Sequence, residues 1–474
     1  MRGARRGFGV TAADSTEIRR SRVRISIAAL VGRARSWLAD GSDRSLAQRT
    51  AGAAFLIRVI SAGLLYLSQV VLARWMGSFE FGVYVYVWTW VLLIGTLADF
   101  GLAIAAQRFI PEYAERKAYD LLRGFLTGSR WLVVGMATAM ACLGALGVML
   151  IEPWLDDYLV VPLYLACASL PFYTLTSMLD GIARSYNWVN LALVPPYIGR
   201  PLVLIAVMGL AHLAGMPANA TTAMLAAVVA TWLNAIAQLL LVDRSLRTKV
   251  ARGPKAYAIA TWFRTAIPIF MVGSFYLLLT YADILVLQQF RTPDEVAVYY
   301  AAAKTLALVA FVNFSVAAAA THKFTEYHVA GDRERLAAFL ADAIRWTFWP
   351  SLAATVLILA LGKPFLWLFG PQFTGGYGLM FILALGLLSR AAVGPVERLL
   401  NMLGEQRACA LVYAVAFATN LTLCVLLIPP FGALGAAIAT AAAVLVESIL
   451  LFFVTKRRLG LHVFVWGRQP TSER

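Results

Sequence analysis

Long apolar runs separated by short polar stretches repeat along nearly the whole chain. A helix that crosses a bilayer needs about 20 apolar residues. Runs near that length stand at 51–73, 81–106, 125–151, 159–183, 191–213, 221–243, 261–289, 296–320, 342–362, 377–403, 408–429 and 433–455. The pattern predicts an all-α polytopic membrane protein with twelve transmembrane helices. The first fifty residues break it, being polar and rich in arginine, without the apolar core and cleavage site of a signal peptide. Within them, Ile25 to Leu38 has the pattern of a short basic amphipathic helix on a membrane surface. A disordered tail is the competing reading.

Composition agrees with lipid as the main solvent. Residues of the AVILMFWYC set make up 61% of 474 and DEKR only 14%, with a mean hydropathy of +0.73. Soluble domains run at about 45–50% and about 25%. A formal charge of +16 would suggest nucleic acid in a soluble protein. Here the cations sit in alternate loops, which points to anionic membrane lipid and away from nucleic acid. Those outside the spans fall almost entirely on the side of the N-terminal tail; the other side holds Arg74, Arg291 and Lys363 beside acidic stretches such as Glu152-Pro-Trp-Leu-Asp156-Asp157. The positive-inside rule then places both termini in the cytoplasm, in a cell inner membrane. Cys142, Cys167, Cys409 and Cys424 lie in apolar runs without CxxC spacing, so no disulfide framework or metal site is expected. No phosphate-binding GxxxxGK[ST] loop occurs. ATP is not expected to drive the protein directly, and no cofactor is implied.

The chain also repeats itself. Leu72 to Tyr84 aligns without a gap on Leu287 to Tyr299, an offset of 215 that pairs Glu80 with Glu295 and carries Gln107-Arg108-Phe109 onto His322-Lys323-Phe324. Six spans per half is an even number, so both halves enter the membrane from the same side. A pseudo-twofold along the membrane normal, with a cavity between the halves, is the expected arrangement. The predicted organisation is a basic tail at 1–50, a six-helix lobe at 51–243, a basic linker at 244–260, a second lobe at 261–455 and a C-terminal tail at 456–474.

The motif Leu72-Ala-Arg-Trp-Met-Gly-Ser-Phe-Glu-Phe-Gly-Val-Tyr84, with Leu97-Ala-Asp-Phe-Gly-Leu102 and Arg108-Phe109, resembles the signature of polysaccharide-export flippases. Tyr281-Ala-Asp283-Ile-Leu-Val-Leu287, Val298-Tyr299-Tyr-Ala-Ala-Ala-Lys304 and Leu400-Asn401-Met-Leu-Gly404 look similar in the second half. These flippases belong to the multidrug/oligosaccharidyl-lipid/polysaccharide (MOP) superfamily. The resemblance spans about residues 51–455. It implies two six-helix lobes forming a V that move a polyprenyl-pyrophosphate-linked saccharide by alternating access. It implies a transporter, not an enzyme, serving lipopolysaccharide or exopolysaccharide synthesis, with other polysaccharide-assembly membrane proteins as candidate partners. The chain departs from the peptidoglycan-precursor branch in lacking helices thirteen and fourteen.

Charges at membrane depth need an interior partner or a wet cavity, since each costs about 2.5–3.5 kcal/mol on insertion scales. Arg58, Arg200, Arg390 and Lys304 are the candidate cavity cations for a pyrophosphate. Asp99, Asp283 and Glu397 are candidate coupling or pairing carboxylates, with a proton or sodium as the coupling ion. Arg58 is open to pairing with Asp99, and Asp283 to pairing with Lys304. Asp180 and Arg398 read as helix-end charges, and Glu447 as a snorkelling one. Arg200 stands out, because Val194-Pro-Pro-Tyr-Ile-Gly-Arg-Pro201 should break its helix, and irregular backbone at depth survives only against protein or cavity water. Trp75, Tyr84, Tyr86, Trp88, Trp90, Trp154 and Tyr158 read mainly as interfacial belt residues. A drug/cation antiporter and a membrane saccharide polymerase or glycosyltransferase are the alternatives. The latter is disfavoured by short outer loops with little histidine.

Overall fold

A computed structural model describes residues 43–466, with side chains from Ile57 onward save isolated positions between Ile269 and His328. The expected surface helix at Ile25–Leu38 lies outside them. Among the described residues, eleven helical segments are long and apolar enough to cross a membrane. The first, Ile57–Glu115, holds two spans folded at Gly77, whose φ of 79° is open to a residue without Cβ. All twelve predicted spans are thus helices. They are α1 (to residue 76), α2 (78–97, continued by Leu102–Glu115), α3 (Tyr119–Ile151), α4 (Asp157–Ser185), α5 (Val189–Leu213) and α6 (Ala220–Arg247). The second half has α7 (Ile259–Phe290), α8 (Pro293–Ala307, continued by Ala310–Val329), α9 (Arg333–Ala360), α10 (Tyr377–Val393), α11 (Gln406–Phe431) and α12 (Ala433–Leu459).

Besides α8, which turns at residues 308–309, three helices are interrupted at membrane depth. The second span, predicted as one run, breaks at Asp99–Gly101, where Phe100 and Gly101 both have positive φ and the Asp99 carboxylate accepts from the Gly101 N–H at 2.7 Å. The tenth predicted span, 377–403, ends early at Gly394, and a short helix Val396–Met402 comes after it. The expected break in α5 is milder than predicted: Pro195–Gly199 is a π-helical turn inside a continuous helix. Pro195 has no N–H for the Leu191 carbonyl four residues back. Gln238 of α6 donates to that carbonyl instead, at 3.0 Å.

The repeat is visible in the hydrogen bonding. Glu80 accepts from the N–H of Ala220 at 2.8 Å, and Glu295 from that of Ala433 at 2.6 Å. Ala220 and Ala433 are the first residues of α6 and α12, so the same carboxylate in each half meets the positive end of that half's last helix.

Packing differs between the two ends of the bundle. Toward the acidic turns, one core cluster draws on both halves, with Phe81, Tyr84 and Val87 of α2 in the same cluster as Val296, Tyr299 and Ala302 of α8. Phe81 meets Phe369 and Phe373 of the second half, Tyr66 bonds Thr305, and Gly82 lies so close to Pro293 that an added Cβ would stand 1.9 Å from its carbonyl oxygen. Toward the basic loops the core divides. One cluster holds Phe109, Phe125, Met178 and Val242, joined by Trp262 and Ala266 from the start of α7. The other holds Phe324, Leu340, Val396 and Tyr413 with Leu279 from farther along α7. The halves therefore share one core at the acidic end, while at the basic end each has its own core and the start of α7 crosses to the first half's. Beyond α12, Leu461, Val463 and Val465 alternate into the second cluster, and the Val465 N–H bonds the Ala392 carbonyl at 3.2 Å.

Candidate functional site: the cavity between the halves

Where the shared core ends, a cavity of about 230 Å³ opens between α2, α4 and α7. It is lined on the first half by Thr96, Asp99, Gln107, Ser177 and Arg184, and on α7 by Gly273, Ser274 and Leu277. Asp99 is buried and accepts from Ser177 at 3.0 Å as well as from Gly101. The expected Arg58–Asp99 lock is therefore replaced by local donors on α2 and α4. Arg58 instead lies in electrostatic reach of Asp180, Arg184, Tyr197 and Arg398. Asp180 is not the solvated helix-end charge expected; it pairs with Arg184 at 2.9 Å on the cavity wall.

Arg200 lies beside the top of this cavity. Its guanidinium carbon stands 4.7 Å from the Trp88 ring centroid and 6.0 Å from that of Tyr173, one turn before Ser177 on α4. Tyr84 of α2, Tyr281 of α7 and Tyr300 of α8 lie within its electrostatic reach, so tyrosines of both halves stand near one cation whose ring contacts are Trp88 and Tyr173. Among the described residues, its Nη1 is buried without a hydrogen-bond partner. The Trp88 and Tyr173 rings offset part of the cation's desolvation but give Nη1 no acceptor. The π turn fixes this placement, since Arg200 comes directly after it and donates its backbone N–H to Pro195.

Lys304 stands 5.1 Å from the Tyr300 centroid, which brings it and Arg200 to the same tyrosine. Asp283 is buried and accepts from Tyr299 at 2.5 Å and Thr440 at 3.1 Å, with Lys304 in electrostatic reach but outside ion-pair distance. Arg390 lies elsewhere, inside the second half. Its Nε donates to Glu447 at 3.1 Å and its Nη2 to the other carboxylate oxygen, with the Tyr276 ring at 5.8 Å. Glu447 is 1% exposed, so the snorkelling expected of it gives way to a buried ion pair. Glu397 is half-buried beside Asn401.

The sequence-based site thus resolves into parts: Arg200 and Lys304 share Tyr300, Arg58 stands with a charged cluster, and Arg390 is already occupied. Sequence reasoning missed the ring of aromatics. Tyr84, Tyr86 and Trp88, expected in a belt, are all buried, whereas Trp154 at 84% exposure fits the belt reading. The available signal was position: Trp88 lies well inside its span, not at its end. Among the described residues no three His, Cys, Asp or Glu side chains are placed to hold a metal ion.

The comparisons with known proteins agree with this architecture. The family model described as "Polysaccharide biosynthesis protein" matches residues 48–322, more than half of the chain, and the model named MatE matches 268–426. The chain is 22% identical over 405 residues to a "Probable low-salt glycan biosynthesis flippase Agl15" of Haloferax volcanii, covering 84% of this chain and 80% of that protein. Among solved structures, it is similar to an inward-facing multidrug resistance MATE family transporter of the MOP superfamily. There the TM-score is 0.72 at 14% identity, over 86% of this chain and 98% of that one. The lipid II flippase MurJ in an inward closed conformation gives 0.69 at 17% identity, over 85% and 87%. These structural likenesses establish the shared fold.

Proposed function

We propose a function from one premise: the chain belongs to the polysaccharide biosynthesis protein family. On this reading it is a multi-pass transporter that flips a lipid-linked saccharide across the membrane. Its substrate is an oligosaccharide on polyprenyl pyrophosphate, carried from the inner to the outer leaflet for cell-surface polysaccharide. The basic end faces the cytoplasm with both termini, in the cell inner membrane. Residues 51–243 and 261–455 act as two lobes joined by 244–260, and alternating access closes the basic end as the acidic end opens. The Haloferax volcanii glycan flippase and the lipid II flippase, as relatives in sequence and fold, support this class.

One observation carries the chemical part. Arg200 is held against the Trp88 and Tyr173 rings, beside the cavity and in electrostatic reach of Tyr281 and Tyr300 of the second half, with a buried N–H donor unused. A pyrophosphate crossing an apolar zone needs compensation for its lost hydration, and the arginine fork meets phosphate oxygens in pairs. Lys304 adds a second charge beside Tyr300. On this reading Asp99, Asp283 and Glu397 are the candidate carboxylates for a coupling proton or sodium.

The test is translocation of a labelled polyprenyl-pyrophosphate oligosaccharide in vesicles, normalised to folded, inserted protein. Arg200→Lys is expected to be impaired and Arg200→Ala close to background, with normal protein amounts. Wild-type rates in Arg200→Ala would remove this residue from the site.

A further inference from the structure

Arg390 differs from Arg200 in that one edge of its fork is already engaged. Nε and Nη2 take the two oxygens of Glu447, and among the described residues Arg390 is the hydrogen-bond donor that Glu447 has. Yet the arginine is not sealed in. Its side chain is 31% exposed against 2% for Glu447, and it rests on Tyr276. Tyr276 belongs to the same turn of α7 as Gly273, Ser274 and Leu277, which line the cavity. Five residues on, Tyr281 lies in electrostatic reach of both Tyr276 and Arg200. Both arginines therefore stand near tyrosines of the same stretch of α7, one with a free donor and one holding an internal anion.

We propose that Glu447 is a resident counter-anion for a latent phosphate site at Arg390, which yields the guanidinium to the substrate's pyrophosphate and takes up a proton as it does so. This rests on the functional reading above and adds how the site is kept neutral when empty. An arginine fork that binds a carboxylate through two parallel bonds fits a phosphate in the same way. The displaced Glu447 cannot stay ionised, because an orphaned buried carboxylate is strongly unfavourable. The surrounding groups do not replace Arg390. Tyr276 comes from α7, Tyr413 and Cys409 from α11, and Glu397 from the short helix after α10, whose negative charge only adds repulsion. Ser448, beside Glu447 on α12, already donates to the Val444 carbonyl. The proton balance is simple: one proton from solvent joins one Glu447 oxygen as the Arg390 bonds pass to phosphate.

Calorimetry of the purified full chain with farnesyl pyrophosphate, in two buffers of different protonation enthalpy, tests this. Wild type is expected to take up close to one proton per bound probe. Glu447→Gln should bind roughly tenfold or more tightly, without uptake and with little dependence on pH. Arg390→Leu combined with Glu447→Leu removes the buried pair together, so the protein should stay folded while binding weakens at least tenfold. If that double variant binds like wild type, the pair is only structural and the inference falls. Binding by wild type that Glu447→Gln neither strengthens nor frees from proton uptake overturns it too, while leaving the functional reading intact. Absence of binding in wild type and Glu447→Gln alike would sink both.

Discussion

At the scale of single residues, a membrane cation is defined by what its charge meets. Arg200 and Arg390 look alike in sequence, each in an apolar span near proline, but one faces rings and the other a carboxylate. The contrast gives separate expectations. A cation–π contact is worth about 0.5–1 kcal/mol when exposed and about 2 or more when desolvated. Trp88→Leu should therefore weaken the apparent affinity for the lipid-linked substrate by roughly two- to thirtyfold, at about 1.4 kcal/mol per tenfold. Trp88→Phe keeps a ring under the guanidinium and should retain most of it. Concentration dependence of transport in vesicles measures both. Equal affinity in the leucine variant would show that the ring merely fills space. Arg200 was legible because its prolines lie beside it in the chain. Glu447 was not, because its partner is 57 residues away, and nothing local announces which charge it will meet.

At the scale of elements, the spans themselves were legible because hydropathy sums over some twenty neighbouring residues. Their rotations were not. In a helix of a soluble protein the apolar stripe marks the buried face, but here lipid-facing and core-facing sides are both apolar, so pattern does not show that Trp88 turns to the core and not to lipid. The α5 turn shows both limits. Three prolines announced an irregularity, while the donor that repairs it, Gln238, comes from α6. The positive φ at Gly101 in α2 carried no proline and went unforeseen. Replacing Gln238 by leucine should orphan the Leu191 carbonyl, a loss of about 1–3 kcal/mol for a buried unsatisfied group. The check is thermal unfolding of purified protein in detergent, where a lowered midpoint is expected. An unchanged midpoint would mean the carbonyl finds another donor. Because the same turn sets the direction of Arg200, transport per folded molecule should fall as well.

At the scale of the whole molecule, the two copies of one motif meet each other where the halves join. Ser78 donates to Asp294, Gly82 lies against the Pro293 backbone, and Arg74 bonds the carbonyls of Trp367 and Leu368. If the proposed alternating access holds, such contacts exist in only one state of the cycle, since a rocking that closes the basic end must part them. Gly82 is the most sensitive point. A Cβ there would stand 1.9 Å from a backbone oxygen, which cannot swing aside like a side chain. Gly82→Val should thus be tolerated by each half but not by their junction, and the population should move toward the state open at the acidic end. The shift is measurable with a cysteine at Thr305, which is buried and bonded to Tyr66 in the present state, in a background without the four native cysteines. An impermeant thiol reagent applied from the acidic side should label Thr305→Cys slowly when Gly82 is present. With Gly82→Val it should label severalfold faster, while transport drops because return to the basic-open state is blocked. Labelling from the acidic side that is unaffected by Gly82→Val, in folded protein, would show that this junction stays shut through the cycle. The motion would then have to pass elsewhere.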